Sequence, residues 1–349
     1  MVKFGVHHGT NVPYLKFKVQ DVVKSSVLAD ELGYDSIWVQ DHLNWTPLTA
    51  KTQIWSAFIL LGHLANKIKN ATIGTCVTDP HRRHPAQTAL DALTLQDMTN
   101  GRFILGMGAG EAANLSDFGV PWNKPVTRLT EACKIIKALW DSSIRKAVDF
   151  EGEFFHLKNA GLQFKVPERP KLYMGANSPR TIRLTGEIAD GWMPNNINPE
   201  LFKQQQKLLK ESGRDSEIEK CVHIWISVSK DNPELAKRAT KAVATNMVAR
   251  EEILSMHGIE LPEGIGLKAH FNEPVRKITK SQNDTFSYIM EKVPEELITS
   301  VVIAGKPNEV IDQIDQFVKV GAEHFIFEFT GEYYKAMKLF AEEVMPHFK

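Results

Sequence analysis

Cysteine is nearly missing from this chain: 349 residues contain three, Cys76, Cys133 and Cys221. They stand too far apart for a metal-binding spacing or a disulfide framework, which excludes a disulfide-stapled secreted domain and suits a reducing cytoplasm. Net charge is missing as well, because Lys+Arg and Asp+Glu each number 42. A balanced chain makes no electrostatic case for nucleic acid or for an acidic membrane surface. No apolar run approaches the ~20 residues of a membrane span, and MVKFGVHHG does not read as a signal peptide. Repeats and low-complexity tracts are absent. No serine lies in G-x-S-x-G, no H-E-x-x-H occurs, and Cys76 has no basic neighbour to generate a thiolate, so nucleophilic catalysis is disfavoured. His81 and His84 in HRRH have positive charge between them, and His7 and His8 point to opposite faces of a strand, so the expectation for metal is none.

What is present is an ordinary globular composition, 43% hydrophobic and 24% charged, arranged in a strict alternation. Short apolar runs predict strands over Lys3–His7, Ser36–Val39, Ala71–Val77, Phe103–Leu105, Leu172–Met174, Trp192–Met193, Val222–Val228 and His324–Phe329. Between them, helical spacing predicts helices, several opening on a first-turn proline where the missing N–H is tolerated. The alternation predicts a parallel sheet covered by helices. Eight strands in one chain of this length make a (β/α)8 TIM barrel the economical α/β fold, ahead of an open doubly wound sheet. Residues 1–349 then form one domain, with a hairpin insertion near 147–158 and a helical or lid insertion near 251–291, where Gly258, Pro262, Gly264 and Gly266 break the rhythm.

In such a barrel the chemistry lies at the C-terminal ends of the strands. The richest mouth is FILGMGAGEAAN, Phe103–Asn114, where Gly106, Gly108 and Gly110 alternate before Glu111 and Asn114. Glycines permit a positive-φ turn and close ligand approach. The stretch therefore reads either as a cofactor cradle with an acid/base beside it or as a glycine-rich turn with a solvated Glu. It is not G-x-G-x-x-G, so a Rossmann fingerprint is disfavoured. After strand two come Asp41, His42 and Trp45. His42 with Glu111 suggests general acid–base work, against the alternative of a hydrogen-bonded loop histidine. Trp45 offers an indole N–H and a flat wall, or plain packing. Asp41 either accepts from a cofactor ring or caps a helix. The turn Gly175-Ala176-Asn177-Ser178 opens a helix and reads equally as an anion site or as a Ser178 cap.

Several stretches together resemble the bacterial luciferase-like superfamily, in particular the branch that uses the deazaflavin coenzyme F420. They are GYDSIWVQDHLNW at 33–45, GTCVTDPHRRHPA at 74–86, NGRFILGMGAGEAAN at 100–114, VDFEGEFFHL at 148–157, YMGANSPRTIRLTGEIADGW at 173–192 and AGKPNEVIDQIDQF at 304–317. The resemblance runs nearly end to end. It implies a TIM barrel with insertions, a cytoplasmic homodimer, and a small-molecule substrate. It implies that Asp41 contacts the deazaflavin ring and that a non-proline cis peptide, here Cys76–Val77, bulges against it. Gly110, Asn114, Gly175, Ala176 and Asn177 would hold the rest of the cofactor, and His42, Trp45 and Glu111 would surround the reacting atoms.

The substrate implied by the resemblance is divided. Deazaflavin-dependent alcohol and sugar-phosphate dehydrogenases share the D-H…W and G-E-A-x-N pattern, with one more residue between His and Trp. Here MPNNINP at 193–199 carries no Lys or Arg, and Ser300 stands where an Arg is expected, which argues against a sugar phosphate. Methylenetetrahydromethanopterin reductases share R-H-P, G-E-I-A-D-G, N-x-N-P and P-H-F-K, but carry a functional Glu where this chain has His7 and no Trp matching Trp45. The expectation is hydride transfer to or from either an alcohol/carbonyl or the methylene of a pterin C1 carrier. The alternatives are an FMN-dependent monooxygenase of the same superfamily and a non-catalytic cofactor-binding barrel.

Overall fold

The computed structural model describes residues 1–8, 18–44, 53–143, 145–267 and 280–349. Its strands are β1 Lys3–His8, β2 Ser36–Val39, β3 Thr72–Thr75, β4 Phe103–Gly108, β5 Val148–Glu151, β6 His156–Ala160, β7 Lys171–Gly175, β8 Gly191–Trp192, β9 Glu219–Val228, β10 Val302–Gly305 and β11 His324–Phe329. All but β5 and β6 join one parallel sheet in the order β10-β9-β11-β1-β2-β3-β4-β7-β8. The sheet closes because β8 also pairs with β9, Gly191 opposite Glu219 and Trp192 opposite Lys220. The ring β1-β2-β3-β4-β7-β8-β9-β11 is the eight-stranded TIM barrel. Antiparallel β5 and β6 form a separate hairpin. Its turn is held by Glu131, whose carboxylate accepts from the backbone N–H groups of Glu153, Phe154 and Phe155.

β10 is a parallel strand that sequence reading did not find. It lies on the upper half of β9, Val302 opposite Trp225 through Gly305 opposite Val228. A four-residue apolar run between helical stretches has no periodicity to mark it. β4 also runs further than expected: Gly106 and Gly108 lie within the strand, and only Gly110 takes the positive-φ turn, at φ 72°. Space explains this. A Cβ at Gly106 would stand 2.0 Å from the carbonyl oxygen of Thr75.

Period-two alternation divides each strand between two cores. Outward residues such as Phe4 and Phe327 pack with Phe340 of the C-terminal helix Tyr333–Glu343, Phe4 to Phe340 at 5.2 Å and Phe327 to Phe340 at 4.9 Å between ring centroids, and Phe325 stacks on both. Inward residues form a second, smaller cluster of Trp38, Cys76, Ile104, Tyr173, Met193, Cys221 and Ile326. Helices enter their strands from the far end with pre-set starts: Pro85, Pro125, Pro179, Pro199, Pro233 and Pro307 each open one. Among the described residues no helix is long and apolar enough to cross a membrane.

Two glycines make the packing testable. Gly106→Ala is expected to lower unfolding stability by about 3 kcal/mol, since overpacking meets backbone that cannot yield. Gly62, in the helix Ala57–Ala65, has nothing within 4 Å of an added Cβ. Gly62→Ala should instead raise stability by about 0.5–1 kcal/mol. Urea midpoints of the two variants check both signs.

Candidate active site

At the C-terminal mouth of the barrel the loop after β2 is locked to the loop after β3. Asp41 is buried, and its Oδ2 accepts from the Thr78 hydroxyl at 2.6 Å and from Arg82 Nη2 at 3.0 Å. Arg83 Nη1 reaches the same oxygen. Arg82 in turn gives its Nε to Asp79 Oδ2 at 2.7 Å, and the Arg83 guanidinium lies over the Phe58 ring at 4.7 Å. Burial works against ionisation of Asp41, but the two guanidinium groups and Thr78 hold its carboxyl below the usual carboxylate range. The next residue, His42, feels the same charges with the opposite sign. Burial and then Arg82 push its pKa down to about 4, against the pull of Asp41 and Asp79, so the imidazole is neutral at neutral pH.

Glu111 sits where β4 ends, at the N-terminus of the short helix Ala112–Leu115. Burial first, and the nearby Asp79 second, raise its carboxyl to about 7. Asn114, in that helix, is buried, and its side-chain oxygen accepts from Leu43 N at 2.7 Å and Asn44 N at 3.1 Å. Asn114 thus ties the backbone just beyond His42 to the element that carries Glu111. Trp45 lies outside the described residues.

The Cys76–Val77 peptide bond is cis. Val77 faces β4 and β7 where both carry glycine: a Cβ at Gly108 would stand 2.7 Å from Val77 Cγ2, and one at Gly175 3.1 Å from its Cγ1. The turn after Gly175 is fixed from below. Ala176 O accepts from Trp192 Nε1 at 2.8 Å. Asn177 O accepts from Gln205 Nε2 at 3.0 Å and Arg250 Nη2 at 2.8 Å, and the Asn177 amide bonds Asn195 at 2.6 Å. Of the two readings of this turn, the cap is present: Ser178 Oγ accepts from Thr181 N at 3.3 Å at the start of the helix Pro179–Ile188.

His7 and His8 diverge as β1 predicts. His8 turns outward to Tyr333, 3.0 Å from its hydroxyl. His7 turns into the barrel, its ring 4.6 Å from that of His223 on β9 and its Nδ1 3.7 Å from Glu328 Oε2 on β11. Glu328 is buried and its carboxyl is raised to about 7 by that burial. His81 and His84 do not converge. The His81 ring bonds the Ala109 and Pro121 carbonyls, and His84 caps the helix Pro85–Met98.

The sequence reading missed Arg82 and Arg83 as counter-ions of Asp41, Arg250 beneath the 175–178 turn, and His223 with Glu328 inside the mouth. The last two carried a signal: in VHIWIS and HFIFEF a polar side chain falls on the inward register of an otherwise apolar strand. Arg250 carried none, because its place depends on a helical segment folding back over the barrel.

The family model for luciferase-like monooxygenases matches residues 1–324. A phthiodiolone/phenolphthiodiolone dimycocerosates ketoreductase of Mycobacterium kansasii is 33% identical over 343 residues, covering 89% of this chain and 91% of that protein. A 5,10-methylenetetrahydromethanopterin reductase of Archaeoglobus fulgidus is 28% identical over 362 residues and is covered end to end, as is this chain. Among solved structures, the coenzyme F420 dependent tetrahydromethanopterin reductase from Methanopyrus kandleri superposes with a TM-score of 0.80 at 26% identity, over 100% of this chain and 99% of that one. With its closed barrel, its cis Cys76–Val77 bond and a family match over most of its length, the chain belongs to the luciferase-like family.

Proposed function

We propose that the protein is an F420-dependent oxidoreductase that moves a hydride between the cofactor and a carbonyl or secondary-alcohol carbon. The F420-dependent reductase structure named above supports the cofactor class, and the more similar of the two curated relatives is a ketoreductase. The fit rests on how the mouth is framed. Val77 of the cis bond occupies the space that Gly108 and Gly175 leave, so β4 and β7 close on it, and Gly110 turns at φ 72° beyond β4. Asp41, Cys76, Val77, Gly110, Asn114, Gly175, Ala176 and Asn177 are the residues that would hold the group. Coenzyme F420, when bound, supplies hydride at C5 of its deazaflavin ring.

The protein's own task is the proton. The observation that carries the reading is Asn114, which ties the backbone just beyond His42 to the element that carries Glu111; there His42 is neutral and the Glu111 carboxyl is raised to about 7. In reduction, the protonated Glu111 carboxyl gives its proton to the substrate oxygen as the carbon accepts hydride. Neutral His42 serves as a hydrogen-bond partner of that oxygen. In oxidation the carboxylate form of Glu111 takes the alcohol proton. A second reading, reduction of the methylene of a pterin C1 carrier, is supported by the full-length similarity to the Archaeoglobus enzyme; it uses the same mouth.

Side-by-side titration with F420 and FMN tests the cofactor. F420 is expected to bind at least about tenfold more tightly, a difference of ~1.4 kcal/mol; tighter FMN binding, with oxygen-dependent turnover, would replace this reading by a monooxygenase. Glu111→Gln tests the proton. Turnover is expected to fall by about 10²-fold or more, with the F420 dissociation constant nearly unchanged. Ketone reduction by the unmodified enzyme should decline as pH rises through about 7, because the acid form of Glu111 is lost there. Alcohol oxidation should show the opposite limb, and both limbs should vanish in Glu111→Gln. Near-normal turnover in that variant removes Glu111 from the mechanism.

A further inference from the structure

Arg250 lies where the helix Pro233–Met247 stops and the helix Glu251–Met256 begins, at the entry to the segment that interrupts the alternation of strand and helix. It is only 5% exposed. Its guanidinium reaches out of that segment into two strand mouths. Nη2 donates to Asn177 O at 2.8 Å, in the turn after β7. Nη1 donates to Asn195 O at 3.1 Å and to Asn196 O at 3.3 Å, in the loop after β8. Nε donates to Glu252 Oε2 at 3.3 Å. The two mouths also hold each other. Asn177 Nδ2 donates to Asn195 Oδ1 at 2.6 Å, and Asn195 N donates to Asn177 Oδ1 at 3.2 Å. Asn196 is buried at φ 50°, a left-handed conformation uncommon outside glycine. Behind Arg250 the segment is fastened by its own backbone: Ala249 O accepts from Leu267 N at 2.7 Å, and Arg250 O accepts from Ile253 N at 3.0 Å and Leu254 N at 3.2 Å.

We propose that Arg250 is a positioning residue of the cofactor site, coupling the segment 249–267 to the turn at 175–178 and to Asn195 and Asn196, so that cofactor affinity depends on that segment being docked. The proposal rests on the reading of that turn as part of the F420 site. A guanidinium carries five N–H donors in a fixed fork and no acceptor. It can therefore hold three main-chain carbonyls from two neighbouring strand ends at a set spacing. An ammonium, a point charge on a flexible stem, cannot reproduce that. Withdrawing the fork leaves buried carbonyls short of donors, which is costly, so the two mouths and the segment are stable together and less stable apart. Arg250 touches no reacting atom. Its contacts lie after β7 and β8, whereas Glu111 lies after β4, so its loss falls on binding rather than on the proton step. Reciprocity follows: if docking of the segment improves cofactor binding, cofactor binding steadies the segment by the same factor.

Amide hydrogen exchange and F420 titration of the full-length chain test this. In the cofactor-free protein, Arg250→Lys should speed exchange at Ile253, Leu254 and Leu267 and, across the mouth, at Asn195, each by roughly tenfold, and leave Phe340 in the outer helix Tyr333–Glu343 unchanged. The F420 dissociation constant should rise about tenfold or more in Arg250→Lys, as expected for lost hydrogen bonds to a charged group, with kcat at saturating cofactor within about threefold of the unmodified enzyme. Added guanidinium ion should restore affinity in Arg250→Ala, and urea, uncharged and of similar shape, should not. Glu252→Gln keeps the three carbonyl bonds and should change the F420 dissociation constant less than about twofold. One arm needs no variant: F420 should slow exchange at Ile253, Leu254 and Leu267 of the unmodified chain and not at Phe340. Exchange at those three amides unmoved by bound F420 overturns the proposal. So does Arg250→Lys with unchanged exchange at Asn195 or unchanged F420 affinity, or a loss in Glu252→Gln equal to that in Arg250→Lys. An unmodified chain that binds no F420 defeats the proposed function instead, and the cofactor-free exchange then decides by itself whether Arg250 joins the segment to the mouths.

Discussion

Trp38 and Tyr173 cannot share the interior of an eight-stranded barrel unless the positions facing them carry no side chain. Such an interior is just wide enough for side chains to fill it. A Cβ at Gly5 would stand 2.9 Å from Trp38 Nε1, one at Gly74 2.7 Å from Trp38 Cζ3, and one at Gly191 2.6 Å from the Tyr173 ring. The two rings lie 6.0 Å apart, and both are fully buried. This exchange of side chains for space sets the rest. It closes the lower barrel with two aromatic plates and fixes the register of β1, β2, β3, β7 and β8 relative to one another, since a one-residue slip would drive a side chain into a ring. What remains above the plates is the space in which chemistry takes place.

Above them, two carboxyl groups on neighbouring loops have been given opposite characters. Asp41 meets Arg82, Arg83 and Thr78, and stays ionised. Glu111 is half-buried, and burial and then the nearby Asp79 raise its carboxyl to about 7. Burial, and after it the same Arg82 guanidinium that meets Asp41, keeps His42 uncharged. Pairs of titratable groups pushed apart in this way mark the division of acid–base labour in an active site. Here Asp41 takes its character from the arginine pair of the loop after β3, and Glu111 takes its own from burial and then Asp79. That loop is cross-linked to the loop after β2 by Asp41 and to the helix Pro85–Met98 by chain continuity, so the electrostatics are as rigid as the backbone that carries them.

The barrel was legible because its signal is repeated: each strand is an apolar run and each helix has a start marked by proline or a cap. Where the signal was single, it failed. β10 is four residues with no period, and Gly106 and Gly108 fell beyond the expected strand, in a stretch open to reading as a cofactor cradle or a turn, because glycine has no pattern of its own. They are strand glycines, demanded by the Thr75 carbonyl and the Val77 side chain of the neighbouring β3 and its extension. At the mouth, His42, Glu111 and Asn114 could be named from strand ends alone. Their partners could not: Arg82 and Arg83 lie in a loop where sequence says only that positive charge is present. Asn114 shows the limit from the other side. Its position was expected, but its oxygen serves the backbone of Leu43 and Asn44, a contact no spacing rule contains.

Two polar clusters inside the barrel, Glu219 with Cys221 and His324 in its lower part and His7 with His223 and Glu328 at the mouth, give the clearest measure of how work is divided along the barrel axis. Both draw on histidine and glutamate, with members on β9 and β11. The lower group spends every polar atom on its neighbours: Glu219 is bonded by His324, Tyr173 and Lys3, and its carboxyl is held far below the usual range despite burial. Such a group locks strands and does nothing else. The upper group leaves three buried atoms unpaired. Stability alone would remove them, since apolar residues of the same shape would pack as well at no desolvation cost. Polar atoms kept unsatisfied at the C-terminal face of a barrel, where catalytic residues gather, and satisfied at the N-terminal face, where residues serve stability, follow the asymmetry of the fold itself. Sequence composition cannot separate the two groups; only the direction of the strands does.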